Sequence, residues 1–312
     1  MSETLLLLET CDPTVMSMLH ETELKIHMLH KDEIDPVSVE HIFSKLNFRL
    51  DEPFLSNYPN LRNIVTPTTG LDHIDSAYCN QKKIQIISLR DTQGVLENFS
   101  STSEIATWLM LSLTRKTTLA TADVKAGNWS RNEFVGNTLR GKTVGIVGFG
   151  RLGKQFSRIC SSFGMRVTAY DLVYKSDDSV TFFNSLEKLV GQADVVSLHV
   201  DDRSENLDLV NAALLSNFRP NAILINTSRG FVVNERDVVD AIRRERIRAY
   251  GTDVLTGEHG DNSKWLRDSV LWQAFKHDDS RILILPHIGG AVRENIPAAE
   301  MAVLKTLVER IY

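Results

Sequence analysis

From Lys142 onward the chain alternates short β-branched runs with stretches whose apolar residues recur every three or four positions. That alternation predicts parallel strands joined by crossover helices. Strands are predicted at Thr143–Val147, Arg166–Tyr170, Asp194–Leu198, Ala222–Ile225, Arg248–Val254 and Ile282–Leu285. Between the first two, Phe156, Ile159, Cys160 and Phe163 fall at helical spacing and give one apolar stripe to lie on the sheet. Glu235–Arg244 reads as another helix, with Asn234 as N-cap and acids in the first turn. Six strands with helical crossovers fit a doubly wound α/β fold.

The first hundred residues predict a second, smaller α/β unit. Leu5–Leu8, Leu24–Met28, Asn63–Val65 and Ile84–Ser88 read as strands, and Val39, Ile42, Phe43 and Leu46 mark a helix among them. A polar break at Ser100–Ser103 precedes a strongly apolar helix, and Ser101 and Glu104 have the spacing of a capping box at its start. The domain boundary is placed at Asn98–Ser103, and Glu294–Ile311 is predicted as a helix folding back onto the first domain.

Composition narrows the class. The 312 residues are 42% hydrophobic and 24% charged, which excludes disorder and collagen-like structure. A net charge of −5 argues against a general nucleic-acid binder, which carries a basic surplus. The longest apolar stretch, Ile105 to Leu113, is about half of what a bilayer requires. The opening Met-Ser-Glu-Thr has an early acid and no basic flank, unlike a signal peptide. Cys11, Cys79 and Cys160 are far apart and read as reduced thiols, so a cytoplasmic protein is expected.

Gly148-Phe149-Gly150-Arg151-Leu152-Gly153 follows a predicted strand and opens a predicted helix. In that setting the first glycine allows a tight turn, the second lets backbone approach a pyrophosphate, and the third lets helix and strand pack closely. The helix N-terminus offers free N–H groups to the phosphates. Asp171 ends the next strand, where a carboxylate takes both ribose hydroxyls and repels a 2′-phosphate, so NAD is favoured over NADP.

Three polar residues follow three later strands: Arg229 the fourth, Glu258 the fifth and His287 the sixth. All three therefore lie at carboxyl ends of parallel strands, the edge where open α/β sheets bind ligands. An imidazole, a carboxylate and a guanidinium converging beside a nicotinamide make a hydride-transfer site. His287 is the expected general acid/base, since an imidazole exchanges protons near neutrality. Glu258 orients that ring and favours its charged form, and Arg229 holds a substrate carboxylate with its planar donor fork. Other polar groups have plainer readings. His20, His27 and His30 are spaced too irregularly for a metal site, Arg243, Arg244, Arg246 and Arg248 suit a helix C-terminus, and His73 reads as a solvated turn residue.

The chain resembles the D-isomer-specific 2-hydroxyacid dehydrogenases. The matching motifs are Gly70-Leu71-Asp72-His73-Ile74-Asp75, Gly127-Asn128-Trp129, Gly148 to Gly153, Ile225 to Gly230, Gly251 to Val254 through Glu258, and Pro286-His287-Ile288-Gly289-Gly290. The resemblance implies an NAD-dependent oxidoreductase acting at C2 of a small (R)-2-hydroxy acid or its 2-oxo acid. It also implies a Rossmann-type sheet inserted into a smaller flavodoxin-like domain, with residues 1–100 and 291–312 binding substrate and residues 101–290 binding NAD. By the same resemblance Arg229, Glu258 and His287 form the catalytic triad, and Asp253 holds the nicotinamide carboxamide. Gly148, Gly150, Arg151, Leu152, Gly153, Asp171, Val200, Thr227, Ser228, Gly289 and Gly290 are the other implied cofactor contacts. The backbone N–H groups of Thr69 and Gly70, together with Arg229, clamp the substrate carboxylate. A homodimer through the NAD-binding domain is implied, with no metal, nucleic acid or membrane partner.

The chain also departs from the family pattern. Thr68 stands where glycine is common, Asp201 and Asp202 stand where a proline usually follows His199-Val200, and Leu255 replaces an aromatic. His259 replaces the proline after the catalytic glutamate, and Trp265, Trp272 and Phe275 are placed to pack residues 259–281 as an extra helix. Formate oxidation is a second enzymatic reading, but formate dehydrogenases of this superfamily carry glutamine where Glu258 stands. A non-enzymatic NAD(H) sensor or scaffold, like the C-terminal-binding-protein co-repressors, is the alternative from a different class.

Overall fold

The computed structural model describes residues 3–92, 94–173, 176–258, 264–277 and 280–312. These residues divide into two compact units, 3–99 with 290–312 and 100–258 with 264–289.

The first unit contains β1 (Thr4–Leu7), α1 (Pro13–His20), β2 (Lys25–Met28), β3 (His41–Phe43), α2 (Glu52–Leu55), β4 (Asn63–Val65), α3 (Ser76–Lys82) and β5 (Gln85–Ile87). Its sheet is parallel throughout, in the order β2-β1-β3-β4-β5. Aspartates start α1, α2 and α3: the side chains of Asp12, Asp51 and Asp75 accept from the N–H groups of Thr14, Phe54 and Tyr78.

The predicted helix at Val39, Ile42, Phe43 and Leu46 is instead the central strand β3, paired with β1 and β4. Ile42 and Phe43 enter clusters on opposite sides of the sheet, with Leu55 and Tyr78 on one side and Val15 and Leu19 on the other. A strand covered on both faces reads as an unbroken apolar run, and such a run contains helical spacings by coincidence. His73 is likewise not solvated: it is 1% exposed, with its Nε2 3.3 Å from the Thr66 hydroxyl. The bridge between Leu50 and Ile74, with Leu50 N–H donating to the His73 carbonyl, draws this turn beneath the surface.

The second unit opens with α4 (Ser101–Arg115) and α5 (Thr117–Lys125) and continues through β6 (Thr143–Val147), α6 (Arg151–Ser162), β7 (Arg166–Tyr170) and β8 (Thr181–Phe182). Then follow α7 (Leu186–Val190), β9 (Val195–Leu198), α8 (Ala212–Leu215), β10 (Ile223–Asn226), α9 (Glu235–Arg243) and β11 (Ala249–Thr252). It closes with α10 (Lys264–Asp268), α11 (Val270–Lys276) and β12 (Ile282–Ile284). Its parallel sheet has seven strands in the order β12-β11-β10-β9-β6-β7-β8, one more than the sequence predicts because β8 is a two-residue edge strand.

Helices α4 and α6 cover one face of this sheet, and α7, α8, α9 and α11 cover the other. Ser100, not Ser101, flanks α4: its hydroxyl donates to Glu104 Oε1 at 2.7 Å, and no capping box forms. The apolar stripe of α6 ends at Cys160, since Phe163 lies past the last turn and is exposed. Two short helices occupy the described part of residues 259–281 in place of one; Leu271 is their buried anchor, while Phe275 is exposed and His259 lies outside the described residues. The last helix, α12 (Asn295–Ile311), returns to the first unit, where Val303, Leu304 and Leu307 pack with Leu5, Leu7 and Val15.

Candidate active site

The strand order of the second unit reverses at β6 and β9, and the glycine loop sits at the carboxyl end of that reversal. Each glycine in it has a distinct steric reason. Gly148 has φ +88°, and a Cβ there would lie 2.5 Å from the His199 carbonyl oxygen at the end of β9. A Cβ on Gly153 would lie 2.2 Å from the Gly148 carbonyl oxygen, so α6 packs against its own loop only as glycine. Around Gly150, the N-cap of α6, a Cβ would meet nothing within 4 Å. That open ground before a helix N-terminus suits a pyrophosphate approached by backbone. Arg151 opens the helix, with burial pulling its guanidinium below its usual range. The Leu152 carbonyl accepts from Ser103.

Asp171 follows β7 and is fixed beside the loop, where Phe149 N–H donates to its Oδ2 at 2.8 Å and Val173 N–H to its Oδ1 at 3.0 Å. Val200, half-buried, follows β9 on the other side of the loop.

The loop after β10 is organised by Asn226, which sequence reasoning did not single out. Its Oδ1 accepts from Ser228 N–H at 3.0 Å and from the Ser228 hydroxyl at 2.7 Å, and its Nδ2 donates to the Arg229 carbonyl at 2.9 Å. An asparagine ending a strand and bonding the backbone two residues on is a readable turn signal. Arg229 Nη1 in turn donates to the Ser228 carbonyl at 2.6 Å. A Cβ on Gly230 would lie 2.1 Å from the Leu255 carbonyl carbon, so the loops after β10 and β11 abut there. Glu235 braces the second of these loops, accepting from Thr256 N–H and from the Ser269 hydroxyl. Nothing local in the sequence marks that role.

Glu258 and His287 meet directly. Glu258 Oε1 lies 2.8 Å from His287 Nδ1, and its Oε2 accepts from Leu255 N–H at 3.2 Å. A carboxylate partner makes Nδ1 the donor and leaves Nε2 as the nitrogen that exchanges protons with a ligand. The His287 backbone has φ +52°, a left-handed conformation uncommon outside glycine. Asp253, 1% exposed at the end of β11, holds that turn: its two oxygens accept from Ile288 N–H at 2.8 Å and Gly289 N–H at 2.6 Å. Gly289 permits this closeness, since a Cβ there would be 2.8 Å from Asp253 Oδ2. Burial raises the Asp253 carboxyl above its ordinary value, opposed by those two N–H groups. Gly290 begins the return to the first unit.

The residues present suit a bound dinucleotide. Besides the cradle at Gly150, the Thr227 hydroxyl is buried with no hydrogen-bond partner among the described residues, and Ser228 beside it is buried too. In the first unit the loop carrying Thr69 and Gly70 is shaped by Thr68, whose hydroxyl donates to the Gly70 carbonyl at 2.7 Å and pairs with Thr66 at 3.0 Å.

Comparison with known proteins agrees with this geometry. The profile described as D-isomer specific 2-hydroxyacid dehydrogenase, NAD binding domain, matches residues 107–289. The corresponding catalytic-domain profile matches residues 5–105. A glyoxylate reductase of Thermococcus litoralis is 31% identical over 280 residues, spanning 86% of this chain and 80% of that protein. A hydroxypyruvate reductase of Thermotoga maritima is 27% identical over 294 residues, spanning 94% and 90% respectively. The crystal structure of D-lactate dehydrogenase from Aquifex aeolicus, complexed with NAD and lactic acid, superposes with a TM-score of 0.84 at 26% identity, covering 99% of this chain and 95% of that one.

Proposed function

The chain belongs to the D-isomer specific 2-hydroxyacid dehydrogenase family, and we propose that it works through His287, Glu258 and Arg229 on a small (R)-2-hydroxy acid and its 2-oxo acid. The observation that carries this reading is the Glu258–His287 pair, 2.8 Å apart on a turn locked by Asp253. Bound NAD supplies a hydride acceptor, or in reduced form a donor, at its nicotinamide ring.

In the oxidative direction the substrate C2–H bond breaks with its electron pair leaving as hydride, and the C2 hydroxyl proton passes to His287 Nε2. Glu258 stabilises the imidazolium that results. The Arg229 fork holds the substrate carboxylate, with the Thr69 and Gly70 amides proposed as further donors to it by resemblance. Asp171 is assigned to the adenosine ribose, which favours NAD over NADP. Asp253, Thr227 and Ser228 are assigned to the nicotinamide end.

Two coarser features support further assignments. Among the described residues no helix is long and apolar enough to cross a membrane, and Cys11, Cys79 and Cys160 are all unpaired thiols, which supports a cytoplasmic location. A homodimer through the second unit is proposed on its exposed apolar residues Trp129, Val135 and Val124. The non-enzymatic sensor reading is not favoured by the family or its named relatives.

The test is oxidation of NADH, and separately NADPH, against glyoxylate, hydroxypyruvate, pyruvate, branched 2-oxo acids and phosphohydroxypyruvate. Turnover of one acid, lost in His287→Ala, supports the assignment. Turnover that survives His287→Ala removes it.

A further inference from the structure

Asp201, one of the two acids that stand in place of the usual proline after His199-Val200, shares the loop after β9 with Arg203. That loop and the end of β7 flank the glycine loop from opposite sides, because β6 lies between β9 and β7. Arg203 is held by both oxygens of one carboxylate: Nε donates to Asp201 Oδ1 at 2.7 Å and Nη2 to Asp201 Oδ2 at 2.6 Å. The carboxylate is itself oriented, since Asn206 Nδ2 donates to Asp201 Oδ1 and to the Asp201 carbonyl, both at 3.0 Å, and Asn206 is buried. The charges acting on Arg203 are Asp201 first, then Glu205 and Asp171. Arg203 therefore lies within electrostatic reach of the residue assigned to the ribose.

An exposed ion pair adds little to folding stability. Its consequence here concerns direction. A guanidinium presents a planar fork suited to a phosphate as much as to a carboxylate, and a fork engaged in a bidentate pair is not presented to a ligand.

We propose that Asp201 is a second determinant of cofactor choice, a latch that occupies the Arg203 fork and keeps it from the 2′-phosphate of NADP. This rests on the reading of Asp171 as the ribose carboxylate, and adds that Asp171 does not act alone. Removing Asp171 takes away a repulsion, and removing Asp201 as well supplies an attraction. Asn206 makes Asp201→Asn an informative change. The amide oxygen stays on the Asn206 donor and still accepts from Arg203 Nε, while the new NH2 group faces Nη2, breaks that half of the bidentate pair and frees that arm of the fork.

The experiment measures binding of adenosine 2′,5′-bisphosphate and of ADP by calorimetry, with NADH and NADPH kinetics alongside. The proteins are the wild type, Asp171→Ala, Asp171→Ala/Asp201→Asn, and that double variant carrying Arg203→Ala. The double variant should bind the bisphosphate about tenfold tighter than Asp171→Ala does, as one charge-assisted pair provides, with ADP affinity unchanged. Adding Arg203→Ala should erase that gain. A gain that survives Arg203→Ala overturns the latch in favour of simple charge removal, and no gain at all overturns it outright. The underlying reading fails separately: if Asp171→Ala alters neither NADH nor bisphosphate binding, Asp171 is not the ribose acid.

Discussion

His287 combines a left-handed backbone with a ring nitrogen committed to Glu258. The backbone strain, of order 1–3 kcal/mol, is maintained by the two N–H bonds to Asp253. Replacing the ring removes the proton carrier and leaves the dinucleotide cradle alone, so His287→Ala should lower turnover by roughly 10²- to 10⁴-fold while NADH binding, followed by fluorescence, stays near wild type. His199 makes a separate prediction at the same scale. Burial pushes its imidazole down to about 4, with its Nε2 2.9 Å from the Ser197 hydroxyl. The unfolded chain therefore binds a proton near pH 6.5 that the folded chain refuses until about pH 4. The stability tied to a neutral His199 is present above pH 6.5 and is lost as pH falls through that window. Urea midpoints measured at neutral pH and near pH 5 should fall further for wild type than for His199→Gln, and equal falls would show that His199 is not the titrating group.

At the scale of elements, the glycine loop separates packing from binding. Gly153 touches backbone and Gly150 faces open space, so the same substitution should act differently at the two sites. Gly153→Ala pushes α6 away from the Gly148 carbonyl, and overpacking of that kind costs about 1–3 kcal/mol, visible as a lower Tm. Gly150→Ala should keep its Tm and lose NADH affinity, because its methyl group stands where the phosphates approach.

The motif was legible in sequence because the chemistry and the sterics demand the same residues. Strands β6 and β7 were legible to the residue, since β-branched runs met clear turn signals at both ends. Strand β3 was not, because burial on both faces removes the alternation that marks a strand. Helices α1, α2 and α3 went unpredicted although each has an aspartate at its N-cap, and α1 and α2 a proline in the first turn as well. They are four to eight residues long, too short for an apolar stripe to stand out. In the candidate site, the charged residues at strand ends were readable from their order along the chain. The partners that hold them, Asn226 and Glu235, depend on which loops meet in space.

On the scale of the whole molecule, the second unit carries apolar surface that its own core leaves uncovered. Helix α5 has no buried residue, and Trp129, Val135 and Val124, between α4 and the start of β6, are 85%, 72% and 51% exposed, with Trp108 of α4 40% exposed. Single exposed apolar residues are ordinary, but several large ones along one segment of 28 residues mark a surface that something covers. A second copy of the chain is the proposed occupant, since closed two-fold dimers bury the same patch on both partners and leave no open apolar face. Light scattering of the purified protein should then give twice the chain mass of 35.1 kDa. Trp129→Glu together with Val135→Glu places two carboxylates in the proposed interface and should return the mass to that of one chain. Because both residues are exposed in the isolated chain, the fold should survive the change, and thermal unfolding of the variant distinguishes dissociation from collapse. A wild type that runs as a single chain at every concentration removes the dimer, and the exposed tryptophan then needs a different partner.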